Sequence, residues 1–329
     1  MKVCVTGASG FIGAALANAL AARGFSVRAV LRPGAAAAGL DLRVERRFGS
    51  WDDADFLASA VAEIDAVVHL AGAVRARSAV GFNAVNQGLT ARLARAVRRA
   101  AAPETVLLHV SSQAAGGPCA TPPGLDEGLP PAPVSDYGRS KLLGEAEALA
   151  LAGERPVAVI RPSMVYGPGD RAFVPLYRLA RLGVLTAPGD AGQPFGIVCV
   201  DDLVEGLIQA LEALAGGRLA SGSIAYLDGP EISDWRGYAR ALGRALGRTV
   251  RVLPLPIWML RVAALANEIA DRVGLPSSRL TLDKVREAAQ PGWLCSHARA
   301  ARDFGYDPRV GLDAGLPLTL DWCRREGLL

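Results

Sequence analysis

Thr6-Gly7-Ala8-Ser9-Gly10-Phe11-Ile12-Gly13 follows directly on the apolar run Val3-Cys4-Val5 near the start of the chain. It reads as the end of a strand, a glycine-rich turn and the first turn of a helix. Gly7 lets the chain turn sharply, Gly10 removes a side chain where backbone must approach an anion, and Gly13 lets the helix lie close on the sheet. Ile12, Leu16 and Leu20 recur at four-residue spacing with alanines between them, and Gly24 ends the helix. The free N–H groups at such a helix start, together with the positive end of its dipole, make a seat for phosphate. With a strand before and a helix after, the spacing points to the pyrophosphate of a nicotinamide dinucleotide.

The alternation of strand and helix continues downstream. Apolar runs at Lys2–Thr6, Ser26–Leu31, Ala66–Leu70, Thr105–Ser111 and Val157–Arg161 alternate with helical patterns, of which Phe82–Ala101 and Ser135–Ala152 are the longest. That rhythm predicts an α/β fold, a Rossmann-type doubly wound parallel sheet covered by helices on both faces. After Arg161 the alternation fades, and Pro162–Asp170 reads as a loop leaving the sheet. The dinucleotide-binding domain is therefore placed at residues 1–170, with the sheet rejoined by about 197–213, and a smaller mixed substrate-binding region at 171–329. Ala35-Ala36-Ala37-Ala38 reads as an exposed loop.

A chain of 329 residues that is 51% hydrophobic has ample material for a core, and its net charge of +4 is spread along helices. No basic footprint points to nucleic acid. Five cysteines, odd in number and widely separated, read as reduced thiols, and with the three histidines they show no metal-ligand spacing. The N-terminus enters a strand at once, without the pattern of a secretory signal, so a cytoplasmic enzyme is expected. Leu253–Ala270 comes nearest to a membrane segment, but Arg261 and Glu268 interrupt it and its apolar part is too short to span a bilayer. A core or lid helix is expected there, with peripheral membrane contact as the other reading.

The chemistry concentrates in Tyr137-Gly138-Arg139-Ser140-Lys141, preceded by Ser111-Ser112 at the end of a strand. Residues four apart on a helix face the same way, so Tyr137 and Lys141 stand one turn above the other. A phenol, with an ordinary pKa of about 10, is a poor base; an ammonium and an oxidised nicotinamide beside it favour the phenolate. The pair could then exchange a proton with a substrate oxygen while hydride moves, and a Ser112 hydroxyl would orient that oxygen.

These motifs do not stand alone. They occur with His69-Leu70-Ala71-Gly72, Asn86, Arg161-Pro162, Val165-Tyr166-Gly167-Pro168-Gly169-Asp170 and Val200-Asp201-Asp202-Leu203. Over most of its length the chain thus resembles the extended short-chain dehydrogenases/reductases, the NAD-dependent epimerase/dehydratase family. The resemblance implies Tyr137 as acid/base, Lys141 as the residue that tunes it and holds the nicotinamide ribose, and Ser112 as the group polarising the substrate oxygen. It places the cofactor on Gly7, Ser9, Gly10, Phe11, Ile12 and Gly13, on Leu70, Ala71 and Gly72, and near Pro162. For Asn86 it leaves two readings, a helix-to-strand hydrogen bond or a proton relay. It also implies a homodimer through the Phe82 and Ser135 helices.

Departures from the family pattern refine the expectation. NAD-selective relatives end the second strand in Asp, whereas this chain has Arg32, whose guanidinium suits a 2′-phosphate; NADP is favoured over NAD. Gly49-Ser50-Trp51 stands where an acid often contacts adenine. Nucleotide-sugar epimerases use an Asn and an Arg on the diphosphate at the positions of Met164 and Phe195, neither of which can pair with phosphate. Arg171, Arg178 and Arg181 are nearby cations, read as a helix surface. Gly116, where epimerases often carry an aromatic residue, resembles the 3β-hydroxysteroid dehydrogenase and dihydroflavonol reductase branch. Trp258–Leu265, Leu280–Val285 and Trp293–Tyr306 would wall an apolar pocket. The expected activity is hydride transfer between nicotinamide and a ketone or secondary alcohol on an apolar, ringed small molecule. A nucleotide-sugar epimerase is the alternative. Gln113 and Ala114 disfavour a dehydratase, and the retention of Ser112, Tyr137 and Lys141 together disfavours a non-catalytic binder.

Overall fold

The computed structural model describes residues 1–37, 39–272 and 280–329, so Ala38 of the alanine run lies outside the described residues. The first half runs β1 (Lys2–Thr6), α1 (Phe11–Ala22), β2 (Ser26–Leu31), β3 (Glu45–Phe48), α2 (Ala54–Val61), β4 (Ala66–His69), α3 (Ala79–Ala100), β5 (Val106–Val110), α4 (Gln113–Gly116), α5 (Asp136–Leu149) and β6 (Val157–Pro162). Then come β7 (Met164–Tyr166), α6 (Val174–Ala180), β8 (Val184–Pro188), β9 (Phe195–Cys199), α7 (Val200–Ala215), β10 (Ser223–Leu227), β11 (Ile232–Ser233) and α8 (Trp235–Leu246). The chain closes with β12 (Arg251–Leu255), α9 (Ile257–Arg272), α10 (Leu282–Ala288), α11 (Ala298–Phe304) and α12 (Leu312–Arg325).

The main sheet has the order β10-β6-β5-β4-β1-β2-β3, with every neighbouring pair parallel. Its central strands β4, β5 and β6 are buried along their whole length, the pattern of a sheet covered on both faces. Leu16 and Leu20 of α1, Leu207 and Leu211 of α7 and Phe304 of α11 fill one face. Leu57 of α2 with Leu93 and Val97 of α3 fill the other. The α/β reading of the sequence therefore holds, and helix starts are set by local chemistry: Ser78 accepts from the Gly81 N–H and Ser135 from the Gly138 N–H.

The structure refines the sequence reading in the second half of the chain. Pro162–Asp170 is not wholly loop, because Met164–Tyr166 forms β7 and pairs with β9 in a small sheet with β11. Residues 197–213 return to the main sheet as a covering helix: they supply β9 and α7, whose Leu203, Leu207, Leu211 and Leu214 recur at helical spacing and are buried in the core under the sheet. The last strand of the main sheet comes later, as β10 beside β6. Finally, α9 is no core helix: Ala264 is buried, while Trp258, Met259, Val262, Leu265 and Ile269 are exposed. Among the described residues, no helix is long and apolar enough to cross a membrane.

A second core, built on Tyr166, Tyr177, Tyr238, Leu242, Leu316 and Leu320, joins α6, α8 and α12. The late segment also reaches back to the main sheet. The Leu294 N–H donates to the Cys119 carbonyl at 2.9 Å, and the Leu125 N–H donates to the Leu294 carbonyl at 3.0 Å. Residues 292–296 thus lie along the loop that joins α4 to α5.

Candidate active site

Gly7 has φ +74, a backbone conformation that disfavours any side chain, and a Cβ there would lie 2.8 Å from the Ala71 nitrogen. The turn and the end of β4 are therefore in direct backbone contact. A Cβ on Gly13 would fall on the Gly7 carbonyl oxygen and 2.7 Å from its carbon, so α1 packs against the turn itself. The Gly10 N–H closes the turn on the Gly7 carbonyl at 2.9 Å, and α1 begins with no capping side chain and no acid in its first turn. Ser9 and Gly10 are exposed. This uncapped helix start fits a dinucleotide pyrophosphate, with the N–H groups of Phe11, Ile12 and Gly13 as the ones left to hold it. Phe11 also has a packing role, since a Cβ on Gly169 would lie 2.9 Å from its ring.

Leu70, Ala71 and Gly72 continue β4 past the sheet edge beside this turn. The Thr6 hydroxyl accepts from the Ala71 N–H at 3.2 Å. Asn86 of α3 holds the next residue at both ends: its Oδ1 accepts from the Ala73 N–H at 2.7 Å and its Nδ2 donates to the Ala73 carbonyl at 3.0 Å. The same amide donates to Ser140 of α5 at 2.8 Å. Of the two readings of Asn86, these bonds supply the structural one.

The Ser-Tyr-Lys set converges on the end of β5. Ser112 is the N-cap of α4 and accepts from the Ala114 N–H at 3.2 Å. Gly138 lets α5 press on α4, since a Cβ there would lie 3.1 Å from the Ala114 carbonyl carbon. Lys141 sends its Nζ to the Val110 carbonyl at 2.9 Å, and a Cβ on Gly72 would stand 3.8 Å from that nitrogen. Burial lowers the Lys141 pKa to about 8, with Glu145 pulling it back up. Burial raises the phenol of Tyr137, opposed by the Lys284 ammonium and by hydrogen bonding from Ser112. His69 and His109 lie beneath; burial first and the Lys141 charge second lower the His69 pKa to about 3 and that of His109 well below its ordinary value.

Two groups of residues here escaped the sequence reading. Glu145 stands four residues beyond Lys141, extending the stripe Tyr137-Lys141-Glu145, and both its oxygens accept from Arg161 of β6, at 2.9 and 2.7 Å. The Ser111 hydroxyl donates to Glu145 at 2.5 Å and Arg161 donates to the Tyr226 hydroxyl at 2.9 Å, so β5, β6, β10 and α5 share one buried network. The second group is the acids of α10, whose first residues the sequence reading placed in a pocket wall; they cap α5 from outside. The Asp283 carboxylate accepts from the Asp136 N–H at 2.7 Å and the Tyr137 N–H at 3.1 Å, while Glu287 accepts from the Ser135 hydroxyl at 2.7 Å.

The remaining sequence-flagged residues scatter. Pro162 ends β6 and is buried, while Arg32 follows β2, next to β1 and the glycine turn, and is exposed. Trp51 packs on His69 with ring centroids 5.9 Å apart. Met164 and Phe195 lie on the paired strands β7 and β9, with the Phe195 ring tilted against Trp235, centroids 5.1 Å apart. The space an aromatic at Gly116 would occupy is filled, since a Cβ there would fall on the Tyr226 hydroxyl. Arg171 pairs with Glu326 at 3.2 Å and Arg178 donates to the Leu328 carbonyl at 2.9 Å, so both bind the C-terminal segment.

A dinucleotide-binding α/β enzyme is the class that this combination of turn, sheet and polar cluster defines. Within it, the chain belongs to the NAD dependent epimerase/dehydratase family, whose model matches residues 3–220. A ceramide reductase of Caulobacter vibrioides is 30% identical over 336 residues, spanning 99% of this chain and 96% of its own. A 3 beta-hydroxysteroid dehydrogenase/Delta 5-->4-isomerase of Mycobacterium tuberculosis is 29% identical, spanning 93% of this chain and 86% of its own. The UDP-glucuronic acid 4-epimerase of Bacillus cereus, solved in complex with UDP-glucuronic acid and NAD, superposes with a TM-score of 0.78 at 23% identity, over 99% of this chain and 100% of that one. That last likeness is one of fold.

Proposed function

We propose that the protein is a pyridine-nucleotide-dependent ketoreductase that prefers NADP to NAD and acts on a ketone or secondary alcohol carried by a large apolar, ringed or long-chain, molecule. The observation that carries the substrate class is the apolar pair Met164 and Phe195, packed into the second core at the positions where a sugar-nucleotide diphosphate needs hydrogen bonds and positive charge. The relatives named for ceramide and for 3β-hydroxysteroid support it, since both molecules place an oxygen-bearing carbon on a large apolar body.

The dinucleotide, when bound, supplies the hydride. The residues at the glycine turn would hold its pyrophosphate, Arg32 would receive the 2′-phosphate, and Lys141 would hold the nicotinamide ribose. Ser112 donates a hydrogen bond to the carbonyl oxygen and fixes the face presented to the hydride. Tyr137 gives its phenolic proton to that oxygen as the carbon is reduced, leaving a phenolate that the nearby cations stabilise until solvent returns the proton. Oxidation of the alcohol uses the same groups in reverse.

The test is turnover of NADPH with a panel of keto-sphingoid, ketosteroid and long-chain 3-oxo compounds, set against UDP-sugars. Consumption of NADPH on an apolar ketone supports the reading. Interconversion of UDP-sugars without net cofactor consumption would replace it with the second reading, a sugar-nucleotide epimerase, an activity that the name of the matching family also covers.

A further inference from the structure

Tyr137 faces a second lysine besides the one on its own helix. The Lys284 ammonium of α10 sits over the Tyr137 ring, 4.5 Å from its centroid, whereas Lys141 is directed to the Val110 carbonyl. Lys284 is held in place by Glu287 one turn on, at 2.7 Å, and Glu287 is itself anchored to Ser135. Asp283 fixes the ring's own backbone through the Tyr137 N–H. The lysine, the carboxylate and the catalytic helix are thus registered on one another by hydrogen bonds from both sides.

We propose that Lys284 is a positioning residue that sets the proton affinity of Tyr137, with Glu287 opposing it, so that the short helix α10 tunes the acid/base from outside the dinucleotide-binding sheet. The inference rests on Tyr137 being the acid/base of the proposed reaction. An ammonium over a ring face stabilises the phenolate directly, and the effect grows when the pair is out of water. Lys284 keeps its proton there: burial pulls its pKa down, but Glu287 and Tyr137 together raise it above the ordinary value. The other groups around the phenol are accounted for. Phe82 of α3 is apolar and 5.9 Å away, and Ser112 is a neutral donor. Asp136 pairs with Arg139 at 2.5 Å, and Arg286 lies 3.6 Å from both Asp136 and Asp283. Of the α10 charges, Lys284 and Glu287 act on the ring with opposite sign.

The experiment is a near-ultraviolet tyrosinate titration of the full chain, each protein compared with the same protein carrying Tyr137→Phe so that only Tyr137 is read. Lys284→Met should move the midpoint to higher pH and cut the phenolate fraction at a fixed pH by about two- to fivefold, the scale of a cation–ring contact that water partly reaches. Lys284→Arg should restore it, and Glu287→Gln, which keeps an acceptor for Ser135, should move it to lower pH. A merely structural role would move the Lys284→Met and Glu287→Gln midpoints the same way or not at all, and either outcome overturns the proposal. Should Lys284→Met not fold, the sign of the Glu287→Gln shift alone decides. The titration needs no turnover, so a Tyr137→Phe enzyme that still reduced ketones would remove the acid/base reading while leaving this assignment to its own result.

Discussion

Replacing Glu145 by Gln keeps the side-chain shape and removes one charge from the ion pair with Arg161, whose two side chains are 2% and 3% exposed. The guanidinium gives two of its hydrogen bonds to this carboxylate and a third to Tyr226, and the Ser111 hydroxyl gives it another. An amide can accept at one atom only, and its NH2 then faces a donor. Leaving one member of a buried pair without its counter-charge costs about 3–5 kcal/mol, a large share of the roughly 5–15 kcal/mol that holds a typical protein folded. Urea unfolding should show a fall of that size with unchanged m, and a cycle with Arg161→Met should return a strong coupling. The exposed Arg244–Asp313 pair serves as the control, for which Asp313→Asn should be nearly silent. A loss below about 1 kcal/mol for Glu145→Gln would refute the view that this network locks β5, β6 and β10 to α5.

Arg32→Asp should lower NADPH affinity at least about tenfold in a calorimetric titration while NADH binding holds or improves, because a charge-assisted contact to the 2′-phosphate is lost; an unchanged preference would remove Arg32 from the cofactor site. Gly13→Ala should abolish dinucleotide binding measured by the same titration, since its methyl group would meet the Gly7 carbonyl carbon at 2.7 Å; an unaltered Kd would show that the turn accommodates it. Asp228 is a pH test: burial raises its pKa to about 6, with the Gly229 N–H lowering it in part, so its cost to stability is absent at acid pH and grows as pH rises through the window between its ordinary value and about 6. Asp228→Asn should therefore gain about 1–3 kcal/mol by denaturant melting near pH 8 and little below about pH 4; equal stabilities at both would contradict the sign.

What was legible in the sequence was local. The Gly7–Gly13 turn and the four-residue spacing of Tyr137 and Lys141 carry their meaning within a few residues, and strands buried on both faces announce themselves as continuous apolar runs. Glu145 was within reach of the same spacing rule, one further turn along α5. Asp283 and Glu287 were not, because their partners lie 146 to 152 residues away and nothing local marks a helix that caps another across that distance. β7 is three residues long, too short for a periodicity, and its identity depends on pairing with β9. α9 shows the limit of amphipathic pattern: the repeat of Trp258, Val262, Leu265 and Ile269 marks one face, yet that face is the exposed one. Gly116 carried a second meaning invisible in one dimension, since it makes room for Tyr226.

The account stands on Tyr137 giving a proton to an external carbonyl as that carbon receives hydride, and isotope transfer reads this directly. With NADPH deuterated at the transferable position and an apolar ketone, the product alcohol should carry deuterium at its new carbinol carbon, and Tyr137→Phe should bind NADPH normally but yield almost none. Deuterium absent from every ketone product, or label incorporated equally well by Tyr137→Phe, would contradict it.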